Sequence, residues 1–510
     1  MLPYRKKKKK ETLEMENYLQ RDEEEIKDIK KTIEVPERTV DPKTIETVEK
    51  IGNKDKIKKL VKQNARKRSL SKTRAYEKKI KPIDKITQGK RGNYELIITE
   101  KPQAAAKIAS ALDSGTPIKK NVAGVNYYEI TRNGKKIFVA CAVGHLFTLK
   151  QDNGKGRELP TFNVKWVPNY QALKKDFTKR YYTVLANLAA RSSTFTVATD
   201  YDIEGEVIGW NIVRFICGQK DANRMKFSTL TTKELQEAYD HKAERINWSQ
   251  AVAGETRHYL DWFYGINLSR ALMDAIKSAG SFRIMSIGRV QGPALYLIVK
   301  KEREIQAFKR QKYWQVFITI DKHDLELKYV KDIFKKNELE KFDLLKGKKA
   351  EAITTRTEQK ISPGVPFDLT TLQTEAYKFF SITPARTLQI AQSLYLAGLI
   401  SYPRTSSQKL PVSIAYQDIL KRVAMAYDAE EFITRKQPIE GKKSDPAHPS
   451  IYPTGESQDL QGEEKKIYDL IAKRFVSLIC GDAIIYNKKV EVEVDNLRYN
   501  AHGVSIKEKG

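Results

Sequence analysis

A multidomain α/β fold is predicted for this chain, on three observations. Its 510 residues exceed what one core holds at roughly 100–200 residues per domain, so about three or four domains are expected. Three short β-branched or apolar runs, at 96–99, 137–141 and 195–199, are separated by helical segments, the pattern of an α/β layer. From Tyr313 the pattern changes to alternating strands such as 314–320, and a Pro-rich stretch at 362–366 marks a further boundary.

Composition narrows the function classes. Lys and Arg number 93 against 64 Asp and Glu, a net charge of +29, which points to a polyanionic partner that releases counterions on binding, nucleic acid ahead of an anionic membrane surface. No apolar run approaches the roughly 18 residues of a membrane span, and the basic N-terminus has no apolar segment behind it of the kind a secretory signal needs. Cys141, Cys217 and Cys480 stand alone without CxxC spacing, which argues against a zinc finger or a disulfide framework and for a reducing compartment.

Along the chain, residues 1–90 are rich in Lys and Glu and poor in aromatics, and read as a basic tail, largely disordered or partly helical. Within it, residues 54–90 hold fifteen Lys or Arg against three acids, suited to phosphates without sequence readout, or simply a solvated arm. After the run at 96–99, Pro102 sits where an N1 proline belongs, and Ala104, Ala105, Ile108, Ala109 and Leu112 keep one apolar face. After the run at 195–199, Val207, Ile208, Ile212, Phe215 and Ile216 do the same. Two acidic motifs therefore lie at strand C-terminal ends leading into helices, the edge where open α/β sheets place ligands. Residues 235–308 read as helical, and from 370 a helix ending at Phe380, a Thr383-Pro384 turn and a second helix to Gly398 lead into an apolar strand. Helix, turn, helix and strand resemble a winged helix-turn-helix.

The acidic run Asp200-Tyr201-Asp202-Ile203-Glu204 crowds three carboxylates. Such crowding is relieved by a hard cation such as Mg²⁺, although a solvated acidic turn has the same composition. Glu100, at the end of the first run, reaches the same edge if the strands are neighbours; a carboxyl held partly protonated by nearby Asp residues can deliver a proton to a leaving alkoxide. Lys101 beside it can stabilise phosphate charge, and without the Asp pair the two form an ordinary ion-rich turn. Tyr402, in Ser401-Tyr402-Pro403-Arg404-Thr405, is either core or nucleophile; as a nucleophile its phenol, of pKa about 10, needs nearby cations, and the fork of Arg404 fits both phenolate and phosphodiester oxygens. Asp445-Pro446-Ala447-His448 is a proline-stiffened turn presenting a histidine, His145 reads as a structural histidine, and Ser286-Ile287-Gly288-Arg289-Val290-Gln291 suits a backbone grip or a helix cap.

In order, Thr99-Glu100-Lys101-Pro102, Asp200-x-Asp202-x-Glu204, Gly288-Arg289-Val290-Gln291, Ser401-Tyr402-Pro403-Arg404-Thr405 and Asp445-x-x-His448-Pro449 resemble the successive signatures of type IA topoisomerases, and the wording from Tyr402 to Pro411 is most similar to the archaeal topoisomerase I or III group. The resemblance runs from Tyr94 to the end of the chain. It implies a Rossmann-like Toprim domain at 91–235, a helical DNA-groove domain at 236–308, a first part of a β-rich arch at 309–361, a winged-helix-like active-site tyrosine domain at 362–488, and a return into the arch at 489–510, together a toroidal clamp. It further implies that Tyr402 forms a 5′-phosphotyrosine, that Arg404 and Lys101 hold phosphoryl oxygens, that Glu100 protonates the departing 3′-oxygen, and that His448 contacts a phosphate. Asp200, Asp202 and Glu204, with Glu100, would place Mg²⁺, and Arg257, Asp261, Arg270, Arg289 and Gln291 would line a single-strand groove. The implied activity is ATP-independent relaxation of negatively supercoiled DNA by a cytoplasmic, nucleoid-associated monomer. Gly292 and Ser406 depart from the Thr and Asp of many members. Relatives continue beyond the arch, so the return at 489–510 reads as truncated and the ring as incomplete, with a second polypeptide as one way to complete it. Two alternatives are a cleavage-limited or non-catalytic DNA-binding fragment of a split topoisomerase and, behind it, a Toprim primase or nuclease, which has no use for Tyr402 with Arg404.

Overall fold

The computed structural model describes residues 92–152, 159–173, 176–320, 325–414 and 416–510; the basic stretch at 1–90 lies outside the described residues. β1 (Tyr94–Thr99) is buried at five of its six positions, as a strand covered on both faces must be. It passes into α1 (Pro102–Leu112), which starts on its proline. β2 (Ile118–Val122), β3 (Val125–Arg132) and β4 (Lys135–Cys141) follow as a meander, then the separate pair β5 (Phe147–Gln151) and β6 (Val164–Pro168). Next come α2 (Thr178–Ala190), β7 (Ser192–Val197), α3 (Ile203–Phe215), β8 (Asn223–Arg224) and α4 (Thr232–Asp240). The main sheet has the order β2-β3-β4-β1-β7-β8. The three runs read from the sequence are its adjacent parallel strands, β1 lying between β4 and β7. β2 escaped that reading because Ile118-Lys119-Lys120-Asn121-Val122 is an edge strand exposed at every position, with no apolar alternation to give it away.

Period-2 alternation sorts the sheet's two faces. Leu96, Ile98, Phe138 and Ala140 pack against α2 and α3, whereas Ile97, Ile137 and Val139 pack against α1 and α4. The second face is where the later part of the chain docks.

α5 (Trp248–Ser278) buries only Ala251 and Gly254, and α6 (Gln291–Gln306) buries nothing although Leu295, Tyr296, Leu297 and Ile298 are apolar and exposed. β9 (Phe317–Ile320), β10 (Leu325–Tyr329) and β11 (Glu351–Ile361) begin a second sheet. Its first strand is shorter than the sequence predicts, since Trp314 makes only an isolated bridge to Ile333. α7 (Leu369–Phe380) opens on a capping box of Asp368 with Thr371. α8 (Pro384–Leu396) opens on Thr383 and is followed by Gly398 at φ 81°, the left-handed residue that ends the helix. α9 (Tyr416–Ala426) and α10 (Gly462–Ser477) complete this unit, and β12 (Ala483–Val494) and β13 (Leu497–Glu508) return to the second sheet, order β11-β12-β13-β10-β9. That sheet is therefore built from chain on both sides of the tyrosine-bearing helices.

Where the sequence predicts a strand before Tyr402, the structure has a single bridge, Ile400 to Pro453. The backbone there is pinned across the fold instead: the Ser401 N–H donates to the Tyr452 carbonyl at 2.9 Å and the Tyr402 N–H to the Ser228 carbonyl at 2.8 Å. Phe367, Leu372, Ile390, Leu394, Tyr395 and Tyr402 join one apolar cluster with α1 and α4. This packing sets the tyrosine against the end of the first sheet.

Candidate active site

The acidic loop is shaped by three neighbours. Asp202 caps α3, its Oδ1 accepting the Gly205 N–H at 2.7 Å. A Cβ on Gly205 would stand 2.0 Å from the Asp200 carbonyl oxygen, so only glycine fits. Gly205→Ala is expected to cost about 1–3 kcal/mol, as overpacking does; an unchanged Tm would refute the close approach. Beneath the loop, Glu206 and Arg224, both essentially unexposed, pair at 2.8 Å. Arg224 also donates to the carbonyls of Thr199 at 2.9 Å, Asp200 at 3.0 Å and Met225 at 2.6 Å. The backbone that carries Asp200 hangs on a buried guanidinium.

Lys101 joins the first two motifs, with Nζ 2.7 Å from Asp200 Oδ2 and 3.2 Å from Glu100 Oε1. Burial raises the Glu100 carboxyl above its ordinary range, and the Asp200 charge raises it further against the pull of Lys101. Burial works against the Lys101 ammonium, but the Asp200 and Glu100 charges outweigh it and hold its pKa above the usual value.

Tyr402, 2% exposed, donates from its phenol to Asp202 Oδ2 at 2.6 Å. Tyr395 reaches in beside it and donates to Asp200 Oδ1 at 3.2 Å. Burial and then the charges of Asp200 and Asp202 push the Tyr402 phenol far above its ordinary pKa, with the charge of exposed Arg404 opposing them. The arrangement therefore suppresses phenolate until anionic charge in the loop is neutralised.

His448 lies tilted against the Tyr402 ring, ring centroids 4.5 Å apart, and its Nδ1 lies 2.9 Å from Ser228 Oγ. The Ser228 loop is in turn held by Glu234, which accepts from the Ser228 and Thr229 N–H groups. His448 Nε2 is buried without a protein partner among the described residues. Burial lowers the His448 imidazole from 6.5 to about 4. Its folded pKa is thus depressed, so between pH 6.5 and about 4 the unfolded chain binds a proton that the folded chain refuses, and stability falls as pH falls through that window by at most roughly 3 kcal/mol. His448→Gln should remove this part of the acid sensitivity, read from urea midpoints of the two proteins across the window; a difference independent of pH would contradict it.

Glu204 faces elsewhere. Its Oε2 lies 3.0 Å from His145 Nε2 and 2.9 Å from His258 Nε2, and its Oε1 3.4 Å from Arg257. Those two imidazoles lower its carboxyl well below the ordinary range. Arg257 and Arg289 flank Asp261 at 3.6 Å and 2.8 Å, a charge ladder beginning on α5. Arg270 stands apart from it, donating to Gln151 Oε1 at 3.1 Å and Thr161 Oγ1 at 3.3 Å, and Gln291 begins α6. Around them Phe162 and Tyr264 are exposed, and Phe162, Tyr259 and Trp262 pack about Phe263.

A family model described as DNA topoisomerase matches residues 245–510, and one described as Toprim domain matches residues 95–230. The chain belongs to the type IA DNA topoisomerases. It is similar to DNA topoisomerase 1 of Pyrococcus horikoshii, 44% identical over 81% of this chain and 63% of the relative, and to DNA topoisomerase 1 of Methanocaldococcus jannaschii, 42% identical over 81% and 56%. The chain thus spans less than two thirds of these curated relatives. The structure of full-length topoisomerase I from Thermotoga maritima shares the fold, with a TM-score of 0.61 at 23% identity over 81% of this chain and 66% of that one.

In this topoisomerase chain the fold gathers Glu100, Lys101, Asp200, Asp202, Tyr402 and His448 into one site. It turns Glu204 toward two histidines, joins Arg257, Asp261 and Arg289, and leaves Arg270 on a separate patch. Tyr395, Ser228, Glu234, Glu206 and Arg224 were not singled out from the sequence. Tyr395, Ser228, Glu206 and Arg224 act through partners distant in the chain, and Glu234 matters only because it holds the Ser228 loop, so no local motif announces them.

Proposed function

We propose that the chain cuts and reseals one DNA strand through Tyr402, without ATP, and so relaxes negatively supercoiled DNA. The observation that carries this reading is the 2.6 Å hydrogen bond from the Tyr402 phenol to Asp202, which sets a nucleophile from one part of the chain on the acidic loop of another. The phenol oxygen attacks phosphorus as its proton leaves toward the Asp202 carboxylate; the bond to the 3′-oxygen breaks, and Glu100, whose carboxyl burial and the Asp200 charge raise above the ordinary range, delivers a proton to that oxygen. Arg404 and Lys101 hold the phosphoryl oxygens, and the free Nε2 of His448 suits a phosphate contact. The phosphotyrosine conserves the bond energy, so resealing needs no nucleotide.

Glu100, Asp200 and Asp202 fit Mg²⁺ by donor chemistry, being hard oxygens crowded enough that the Lys101 ammonium already bridges two of them. When bound, Mg²⁺ supplies positive charge that neutralises the loop and steadies phosphate and 3′-hydroxyl for resealing. Exposed Tyr264 and Arg257 on α5, with exposed Phe162 nearby, suit a single strand, whose bases stack on rings while cations follow the backbone. The exposed apolar side chains of α6 favour a further segment, on a second polypeptide or on a longer chain, that covers them and completes the ring; otherwise the protein acts as a monomer. No described helix is long and apolar enough to cross a membrane, and a place on nucleoid DNA in the cytoplasm is proposed.

The test is the polarity of the covalent product. With single-stranded DNA and Mg²⁺, a 3′-end label should follow the protein through denaturation and a 5′-end label should not. An adduct carrying the 5′-end label would overturn the reading. Glu100→Gln should slow cleavage by about 10²–10⁴, the usual worth of a positioned acid, while leaving DNA binding unchanged in a filter assay.

A further inference from the structure

We propose that His145, Glu204 and His258 form a second cation site, separate from the Asp200 and Asp202 carboxylates and selective for a late first-row divalent ion of the Zn²⁺ type. The three ligand atoms, two imidazole Nε2 and one carboxylate oxygen, all lie within 4.8 Å of one another. Glu204 Oε2 stands 3.0 Å from one nitrogen and 2.9 Å from the other. Ligands about 2.1 Å from a tetrahedral ion sit about 3.4 Å apart, so the two Glu204 pairs would open slightly around an ion while the imidazole nitrogens start no more than 4.8 Å apart. The donors decide the class of ion. Two imidazoles with one carboxylate suit Zn²⁺ and its neighbours, whereas Mg²⁺ takes oxygen and keeps its waters.

Each ligand comes from a different element. His145 follows the tight turn after β4, where Val143 and Gly144 both have positive φ and the Gly144 N–H donates to the Glu100 carbonyl at 3.2 Å. Its carbonyl accepts from Asn169 Nδ2 at 2.6 Å. Glu204 stands in the first turn of α3, two residues beyond Asp202, and His258 on α5. Side-chain exposures of 30%, 27% and 28% leave the remaining coordination position open to water or to a phosphate oxygen. Arg257 leans on Oε1, the oxygen the ion does not need, and its charge keeps the affinity moderate. A bound ion would tie the single-strand surface of α5 to the turn that presents Asp202, beyond what the proposed cleavage chemistry requires.

Co²⁺ titrated into the full chain is the test, read by its visible absorption. One equivalent should give the intense band of a low-coordinate site; Zn²⁺ should displace it and excess Mg²⁺ should not. The band should survive Asp200→Asn with Asp202→Asn. His145→Asn and His258→Asn should each weaken binding by at least about tenfold, since losing even an outer partner of a ligand costs that much. No band, a band indifferent to both histidine variants, or one displaced by Mg²⁺ overturns the site. Should those variants misfold, unaltered protein answers the same question: Zn²⁺ should shield His145 and His258 from diethyl pyrocarbonate, and modification at an undiminished rate overturns the proposal. None of these readouts depends on strand cleavage, so failure here and failure of the cleavage reading are distinguishable.

Discussion

Tyr402→Phe is expected to abolish the covalent DNA adduct while the chain stays folded. No neighbouring group can replace the phenol oxygen: Tyr395 is fully buried and engaged with Asp200, and Ser401 is committed to the Ser450 carbonyl and the Tyr452 N–H. The ring itself remains, so its contacts with Tyr395 and His448 persist and only the hydrogen bond to Asp202 is lost. Bonds to charged groups contribute roughly 1.5–3 kcal/mol, so a small fall in Tm should accompany complete loss of adduct. Arg404→Ala makes the contrast. It keeps the nucleophile but removes the charge that opposes its raised pKa, and adduct formation should slow by about 10²–10³, the scale of losing one group that stabilises transition-state charge. Adduct from Tyr402→Phe at the wild-type level would sink the assignment of the nucleophile.

Arg224→Met should destabilise the Toprim domain by about 3–5 kcal/mol, the usual consequence of stranding one member of a buried ion pair. The guanidinium is 2% exposed and Glu206 0%, so water cannot replace the lost partner. Three carbonyls lose a donor in the same substitution, among them that of Asp200, and cleavage should fall along with stability. Arg224→Met with Glu206→Met removes both charges and should recover most of the Tm, though not the activity, because the carbonyls under the loop still lack their donor. If the double variant melts no higher than the single one, the pair is not what holds the loop.

The core of the first sheet was legible because parallel strands covered on both faces must be continuously apolar. Leu96-Ile97-Ile98 and Ile137-Phe138-Val139 stand out for that reason. The hairpin of β2 with β3 was not, since an exposed edge strand can be Lys-rich. Helix ends at Pro102, Thr383 and Gly398 were legible because capping and left-handed backbone are local demands. The strand expected before Tyr402 became a bridge because its N–H groups pair with Tyr452 and Ser228, partners that no local pattern names.

The candidate site divides the same way. Spacing made Asp200, Asp202 and Glu204 candidates, because crowded carboxylates at a strand end are local chemistry, whereas Glu100 and Tyr402 became candidates only through the order of the motifs along the chain. Whether Glu204 faces the same site was beyond spacing, since residues two apart at the start of a helix point in different directions and its partners sit at 145 and 258. The kind of chemistry available could be read directly, because side-chain type and local backbone demand are written residue by residue. It took the folded chain to rest the Tyr402 phenol on Asp202, to place Arg224 under Asp200 and to turn Glu204 toward two histidines, because each contact joins segments brought together by the burial of shared apolar faces.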